Sequence, residues 1–149
     1  MRINVPVALI IFRRTDTLAR IVKELKSHEI KKLYIIADGP RSDSERNETN
    51  VARSLAEEIE AEDIIKLYSV ENLGLRKNVT QGISFAMRRE SNLVVLEDDV
   101  LPTDSFFESC ELIAGSTFGP DIAGFCGTSF LLGSSKKEIW RSAKFNVWG

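Results

Sequence analysis

The sequence has few residues that bind metals through sulfur or imidazole, and it has no long apolar run. It contains two cysteines and one histidine among 149 residues. The cysteines, Cys110 and Cys126, form no Cys-x-x-Cys pair, which excludes a zinc knuckle and a small disulfide-stabilised domain. The longest apolar run, Val5–Phe12, is far shorter than the roughly 20 residues of a membrane-spanning helix. We therefore expect reduced cysteines and no transmembrane segment.

An excess of charge of one sign is also lacking. Lys and Arg number 20 against 22 Asp and Glu, which gives a formal net charge of -2. So small a charge provides no bulk field for nucleic acid or an anionic bilayer, and we predict no nucleic-acid partner. Because Arg13 and Arg14 follow the apolar run where a signal peptide would carry small residues, we expect a cytoplasmic protein. The length favours a single domain over residues 1–149.

Short apolar runs alternate with segments of helical periodicity. The runs predicted to be strands are Val7–Phe12, Lys32–Ala37, Ile64–Val70, Leu93–Leu96 and Ile122–Thr128. The segments predicted to be helices are Thr15–Ser27, with Thr15 or Asp16 as its cap, Ser44–Glu60, Arg76–Arg89 and one that begins near Thr103 or Asp104. Parallel strands need crossover connections, so this alternation predicts an α/β fold with a mostly parallel sheet and helices on both faces.

Polar residues follow each of the first four predicted strands. In order they are Arg13 and Arg14, then Asp38, then the segment Glu71–Gly74, then Glu97–Asp99. Ligands of open α/β sheets bind at the carboxyl ends of the strands, so we expect these side chains to converge on one edge.

The three consecutive acids Glu97, Asp98 and Asp99 are the most informative feature. Two like charges about 4 Å apart cost roughly 1 kcal/mol in water and about 4 kcal/mol at an effective dielectric constant of 20, so the group needs a positive partner. Concentrated carboxylates suit Mg²⁺ or Mn²⁺, which take one or two of them together with phosphate oxygens. If strand geometry continues, Glu97 and Asp99 share one face and Asp98 points away.

Simpler roles are open for the same residues. Asp98, Asp99 and Asp104 can be caps and solvated charges before the next helix, paired with Arg13 or Arg14. Asp38 can be an Asx-turn residue. His28, at the end of the first predicted helix, complements the helix dipole, and we assign it no chemistry.

Several phosphate-handling and hydrolytic motifs are absent from the chain. It contains neither G-x-G-x-x-G after the first predicted strand nor a P-loop sequence, which excludes a dinucleotide-binding dehydrogenase and a P-loop NTPase. A G-x-S-x-G nucleophile elbow is also absent. Among the phosphate-handling functions considered, metal-assisted binding of a diphosphate without a glycine-rich loop is the remaining hypothesis.

Four segments resemble the GT-A nucleotide-sugar glycosyltransferases, particularly the branch that includes N-acetylglucosaminyltransferase I and bacterial family 2-like enzymes. In chain order they are VPVALIIFRR, YIIADGP, NLGLRKN and VVLEDDVLPTDSFF. The last contains the family's D-x-D motif in the form Glu-Asp-Asp. The resemblance implies a Rossmann-like GT-A fold and a role as the donor-binding part of such an enzyme.

The resemblance also implies roles for single residues. Asp99 would ligate Mn²⁺ or Mg²⁺, while Glu97 and Asp98 would meet ribose and donor-sugar hydroxyls. Asp38 would contact a uracil-like base, with Asn72 also among the donor-binding residues. Arg13 would approach the nucleotide, and Arg14 is an equal candidate.

The expected reaction is transfer of a sugar from a nucleoside-diphosphate sugar, by resemblance a UDP-sugar, to a glycan or other hydroxyl acceptor with inversion. The terminal KFNVWG resembles the segment that precedes the family's acceptor half, so we expect a C-terminally truncated domain. Its general base would then lie beyond Gly149, and we name no catalytic residue.

Two alternative functions are open: a non-catalytic GT-A-like fragment that acts in protein contacts, and a sugar-phosphate nucleotidyltransferase. An exposed sheet edge would favour self-association.

Overall fold

The computed structural model describes residues 1–117, of which Met1–Ser116 form one unit. The strands are β1 (Arg2–Ile3), β2 (Val7–Ile11), β3 (Glu29–Ala37), β4 (Ala61–Tyr68) and β5 (Val94–Glu97). The helices are α1 (Thr15–Leu25), α2 (Asp43–Ala56), α3 (Leu75–Met87) and α4 (Asp104–Ala114). Within these residues no helix is both long and apolar enough to cross a membrane.

All five strands pair in parallel, and β3 is the central one. It pairs with β1, β2 and β4, while β2 also pairs with β5. Ile30 pairs with Ile3 of β1 and also with Ala61 of β4, so β1 and β2 lie along one edge of β3 and β4 lies along the other. Seen from β2, the strands β3 and β4 therefore lie on one side, and β5 lies on the other side. This reversal of strand order beside β2 marks the position where open α/β sheets bind ligands.

A short irregular segment separates β1 from β2. Ile3 pairs with Ile30 and Val7 pairs with Leu33. The chain from β1 to β2 therefore takes four residue steps where β3 takes three, which leaves one extra residue. The segment contains Pro6, which has no N–H to contribute to the sheet. The extra residue therefore divides what is otherwise one continuous edge strand.

Helices cover both faces of the sheet. On one face, the inward stripe of α1 consists of Leu18, Ile21, Val22 and Leu25, at the spacing of one helix face. These side chains pack with α2, α4 and the odd-numbered residues of β2 into the larger core. On the other face, α3 lies over the alternate residues of β2 and β3. A Cβ atom on Gly82 would lie 2.6 Å from Cγ2 of Ile36, so the glycine lets α3 approach β3 closely.

The parallel α/β architecture is confirmed, and the described helices and strands match the predicted ones with shifts at their ends. Sequence analysis missed β1, a two-residue strand. The expected cap of α1 was wrong, because the N-cap is Arg14 and no side chain caps the helix. Thr103 does cap α4, accepting from the Phe106 N–H. The predicted strand Ile122–Thr128, Cys126 and the KFNVWG segment lie outside the described residues.

Candidate functional site

The carboxyl ends of β2 and β5 are joined by the Asp98 side chain. β5 ends at Glu97, and the Val100 N–H donates to the Glu97 carbonyl at 3.2 Å, which closes a turn over residues 97–100. The Asp98 Oδ2 atom accepts from the Phe12 N–H at 3.1 Å. This bond is possible because β2 and β5 are adjacent parallel strands that end at the same edge. The acidic turn is thereby fixed beside the first residues after β2.

Arg14 faces two of the three acids. Its Nη1 atom lies 3.4 Å from Asp98 Oδ1 and also donates to Asp99 Oδ2. The Asp98 side chain is only 10% exposed, whereas Asp99 and Arg14 are 41% and 59% exposed. Because β5 ends at Glu97, the condition for alternating faces over residues 97–99 is not met, and Asp98 and Asp99 share one arginine.

Burial, and repulsion between the neighbouring acids, disfavour the charged forms of Glu97 and Asp98. The pKa of Glu97 is raised, first by burial and then by the charges of Asp99 and Asp98. The pKa of Asp98 is also raised by burial, although the Phe12 N–H and Arg14 oppose the shift. These carboxyl groups are hard to ionise although the Arg14 guanidinium is close by. Further positive charge would therefore stabilise their ionised forms.

The acidic turn has the donor chemistry of a divalent cation site. Its ligand atoms are carboxylate oxygens, which Mg²⁺ and Mn²⁺ prefer. Exposed ion pairs such as Arg14 with Asp99 contribute about 0–1 kcal/mol, so a cation can displace the guanidinium. Asp99 therefore offers ligand atoms of the type that a hard divalent ion takes, and in this structure they are paired with Arg14.

Asp38 and Asn72 form a second group, at the carboxyl end of β3. Asp38 is buried and accepts four hydrogen bonds. The donors are the backbone N–H groups of Gly39, Leu73 and Gly74, at 2.8–2.9 Å, and Nδ2 of Asn72, at 3.0 Å. A carboxylate offers about four acceptor positions, so these bonds fill them. Asp38 therefore ties the loop before α3 to the end of β3.

Close backbone packing supports this loop. A Cβ atom on Gly39 would lie 2.4 Å from the carbonyl carbon of Glu71, so only glycine fits there. Gly74, the N-cap of α3, has φ of 79°, which other residues rarely adopt. Arg53 of α2 donates from Nη2 to the carbonyls of Asp38 and Ser69, and so bridges the ends of β3 and β4.

The start of α3 is open and positively charged. Gly74, Arg76 and Lys77 line a shallow depression at this end of the helix. No acidic residue lies in the first turn of α3. Free N–H groups at a helix N-terminus, together with basic side chains, favour an anion.

Arg13 lies in a third group, apart from the acidic turn. Its Nη1 atom is 3.4 Å from Glu45 and 3.2 Å from Glu48, both on α2. Arg41 also pairs with Glu45, and this arginine holds the pKa of Glu45 down to about 2. Of the two equal candidates, Arg14 is therefore the one that contacts the predicted metal site.

Three polar groups thus line the carboxyl edge of the sheet: Arg14 with the acidic turn, Asp38 with Asn72, and Arg13 with α2. Sequence reasoning did not find Arg53. Its position beside the inward face of α2, four residues after Thr49, becomes clear only from the burial of Thr49 in the structure.

Comparison with known proteins adds no family to this picture. A scan against protein-family models matches no family, and a search of curated proteins finds no match. Fold and site together define a parallel α/β domain with charged groups at the carboxyl edge of its sheet.

Proposed function

We propose that this chain is the donor-binding part of a metal-dependent GT-A glycosyltransferase. It would transfer a sugar from a nucleoside-diphosphate sugar, a UDP-sugar by resemblance, to a hydroxyl acceptor with inversion. One observation carries the proposal: the acidic turn Glu97–Asp99 ends β5 directly beside β2, where the strand order reverses. A cytoplasmic location is part of the proposal.

In this proposal Asp99 holds Mn²⁺ or Mg²⁺, because it is the most exposed of the described acids facing Arg14. When bound, such an ion offsets the negative charge of a diphosphate leaving group. Asp98 fixes the turn through the Phe12 N–H, and Glu97 and Asp98 offer acceptors to ribose or sugar hydroxyls. The positively charged start of α3 supplies further compensation for phosphate oxygens.

Asp38 and Asn72 would form the base-binding part of the donor site. Since the Asp38 carboxylate already accepts four hydrogen bonds, a base N–H would have to replace one of them. The Asn72 side chain is the donor most easily displaced, because the other three are backbone groups. Base binding would then open this bond, while Asn72 Nδ2 keeps its other bond, to the Gly39 carbonyl at 2.8 Å.

Arg14 has a defined place in the proposal. Without a cation its guanidinium partly offsets the charge of Asp98 and Asp99. When a cation takes over that role, Arg14 is released and can contact a phosphate of the nucleotide, since guanidinium groups recognise phosphates well. No described residue is assigned as the general base.

A second candidate function is a non-catalytic GT-A-like domain that acts in protein contacts. The same Arg14 contacts favour it, because an arginine that permanently neutralises the acids would leave a structural ion pair rather than a cation site. The two candidates differ in whether a divalent ion and a nucleotide bind together.

Calorimetric titration of the 149-residue chain with UDP and UDP-sugars, with and without Mn²⁺, tests the proposal. We expect binding that requires Mn²⁺, and we expect Asp99→Asn to lower affinity at least ten-fold. Asp43→Asn is the matched control, because this exposed acid of α2 pairs only with Arg46 among the described residues.

Equal binding of UDP-sugars in EDTA would refute the role of Asp99. Absence of nucleotide binding by a folded sample would favour the non-catalytic domain, and turnover of a sugar 1-phosphate with a nucleoside triphosphate would favour a nucleotidyltransferase.

A further inference from the structure

The only histidine of the chain lies at the opposite edge of the sheet from the acidic turn. His28 follows the C-terminus of α1 and precedes β3, so it lies where the parallel strands begin. Its side chain is 3% exposed. The ring packs edge-on against Phe107 of α4, with 5.3 Å between ring centroids. The imidazole is therefore held in a fixed orientation between α1 and α4.

The Nε2 atom of His28 is buried and has no hydrogen-bond partner. It points toward two carboxylates, 3.5 Å from Glu24 Oε1 on α1 and 3.5 Å from Asp104 Oδ1 on α4. Buried polar atoms are nearly always paired, so an unpaired nitrogen between two acids calls for an explanation.

The spacing of these atoms matches a coordination shell better than a hydrogen bond. One atom from each of the three side chains lies within 4.8 Å of the others. Zinc bonds to imidazole nitrogen and carboxylate oxygen of about 2.0–2.2 Å, at tetrahedral angles, place neighbouring ligand atoms about 3.4 Å apart. The two 3.5 Å separations are close to this value, whereas hydrogen bonds of this kind are shorter than about 3.2 Å.

We propose that Glu24, His28 and Asp104 bind a divalent transition-metal ion of the zinc type, with water completing the shell. Two carboxylates and one neutral imidazole balance the charge of such an ion. The Met1 amino group lies 3.4 Å from Nδ1, and as an ammonium it can only donate to that atom. Metal binding through Nε2 therefore requires the ring proton to move to Nδ1 and this contact to open.

The ion would tie the end of α1 to the start of α4. Asp104 is the first residue of α4, and the acidic turn leads into this helix through only a few residues. Metal at His28 would therefore hold in place the segment that follows Asp99. The site is distinct from the one under Proposed function, since α1 has 11 residues and spans about 16 Å between the two.

The sole histidine gives the experiment an unambiguous signal. We would titrate the 149-residue chain with Zn²⁺, following the imidazole resonances by NMR and the affinity by calorimetry, and repeat the titration with Co²⁺ to record its visible absorption. Asp104→Asn is the main variant, because this exposed side chain can change without disturbing the core. Glu108→Gln, an exposed acid on the same helix, is its matched control.

We expect one equivalent of Zn²⁺ to shift the His28 resonances, Asp104→Asn to weaken binding at least ten-fold, and Glu108→Gln to leave it unchanged. Glu24→Gln should behave as Asp104→Asn does. Asp99→Asn should leave the response of His28 intact, which separates this site from the acidic turn. Zinc binding that leaves the imidazole resonances unshifted, or that is lost in Asp99→Asn but kept in Asp104→Asn, would overturn the proposal.

Discussion

The guanidinium of Arg14 donates to the carboxylate of Asp99 across the crevice between the ends of β2 and β5. The protein thus supplies one positive charge of its own at the position where a divalent cation is proposed. Whether that charge is a permanent partner or a replaceable one decides between the two candidate functions. Removal of Arg14 is therefore informative.

Replacing Arg14 by methionine should increase the affinity for Mn²⁺. The exposed pair with Asp99 contributes about 0–1 kcal/mol, so loss of the competing guanidinium should tighten Mn²⁺ binding by up to about five-fold. Calorimetric titration with Mn²⁺ alone measures the change. Arg13→Met is the control, because Arg13 pairs with Glu45 and Glu48 instead. Identical Mn²⁺ affinity in wild type and both variants would show that Arg14 does not compete for the site.

Glu97→Gln should stabilise the ligand-free protein at pH 7. The folded-state pKa of Glu97 is raised, so its contribution to the free energy of unfolding falls as pH rises from about 4 through that raised value. Removing the charge should raise the free energy of unfolding at pH 7 and leave it unchanged below about pH 4. Urea denaturation at the two pH values measures this. Glu60→Gln, an exposed acid in a loop, should show no such pH-dependent gain.

Asp38→Asn should lower the free energy of unfolding by about 2–3 kcal/mol. An amide cannot accept from all four N–H donors that surround Asp38, and its own NH₂ group would face some of them. Urea denaturation at pH 7 measures the loss. Asp43→Asn should change stability by less than about 0.5 kcal/mol. A loss at Asp38 no larger than that of the control would mean that the buried carboxylate does not organise the loop.

These contacts show where sequence reasoning succeeded. Burial of both faces makes parallel strands uniformly apolar, so β2, β3 and β5 could be recognised from the sequence. The polar residues that follow these strands could then be placed at one edge of the sheet. The arrangement of Asp38 beside Asn72 followed in outline from that topology. Strand β1 could not be predicted, because two residues carry no periodicity.

Other parts of the site depend on details that sequence patterns do not contain. Arg13 and Arg14 are adjacent, and only the path of the chain into α1 directs one toward α2 and the other toward the acidic turn. His28 gave no signal beyond its helix-end position. Its partner Glu24 is one turn away, but Asp104 reaches it only through the packing of α4 beside α1.

Gly39→Ala should destabilise the protein by about 1–3 kcal/mol. The added methyl group would meet the backbone of Glu71 at 2.4–2.5 Å, and backbone atoms cannot move aside as a side-chain end can. Thermal and urea unfolding both measure the effect. Gly115→Ala is the matched control, since its Cβ would lie at ordinary contact distances of 3.5 Å or more. Equal stability of the two variants would show that the loop after β3 tolerates displacement.

The pairing of the strands has a consequence for the order in which the chain can be built. β3, β4 and β5 each pair with a strand that precedes them, whereas β1 and β2 pair only with strands that follow them. During synthesis from the N-terminus, β1 and β2 therefore have no partner until β3 emerges. Once β3 has paired with both, β4 and β5 can each add to a strand that is already made.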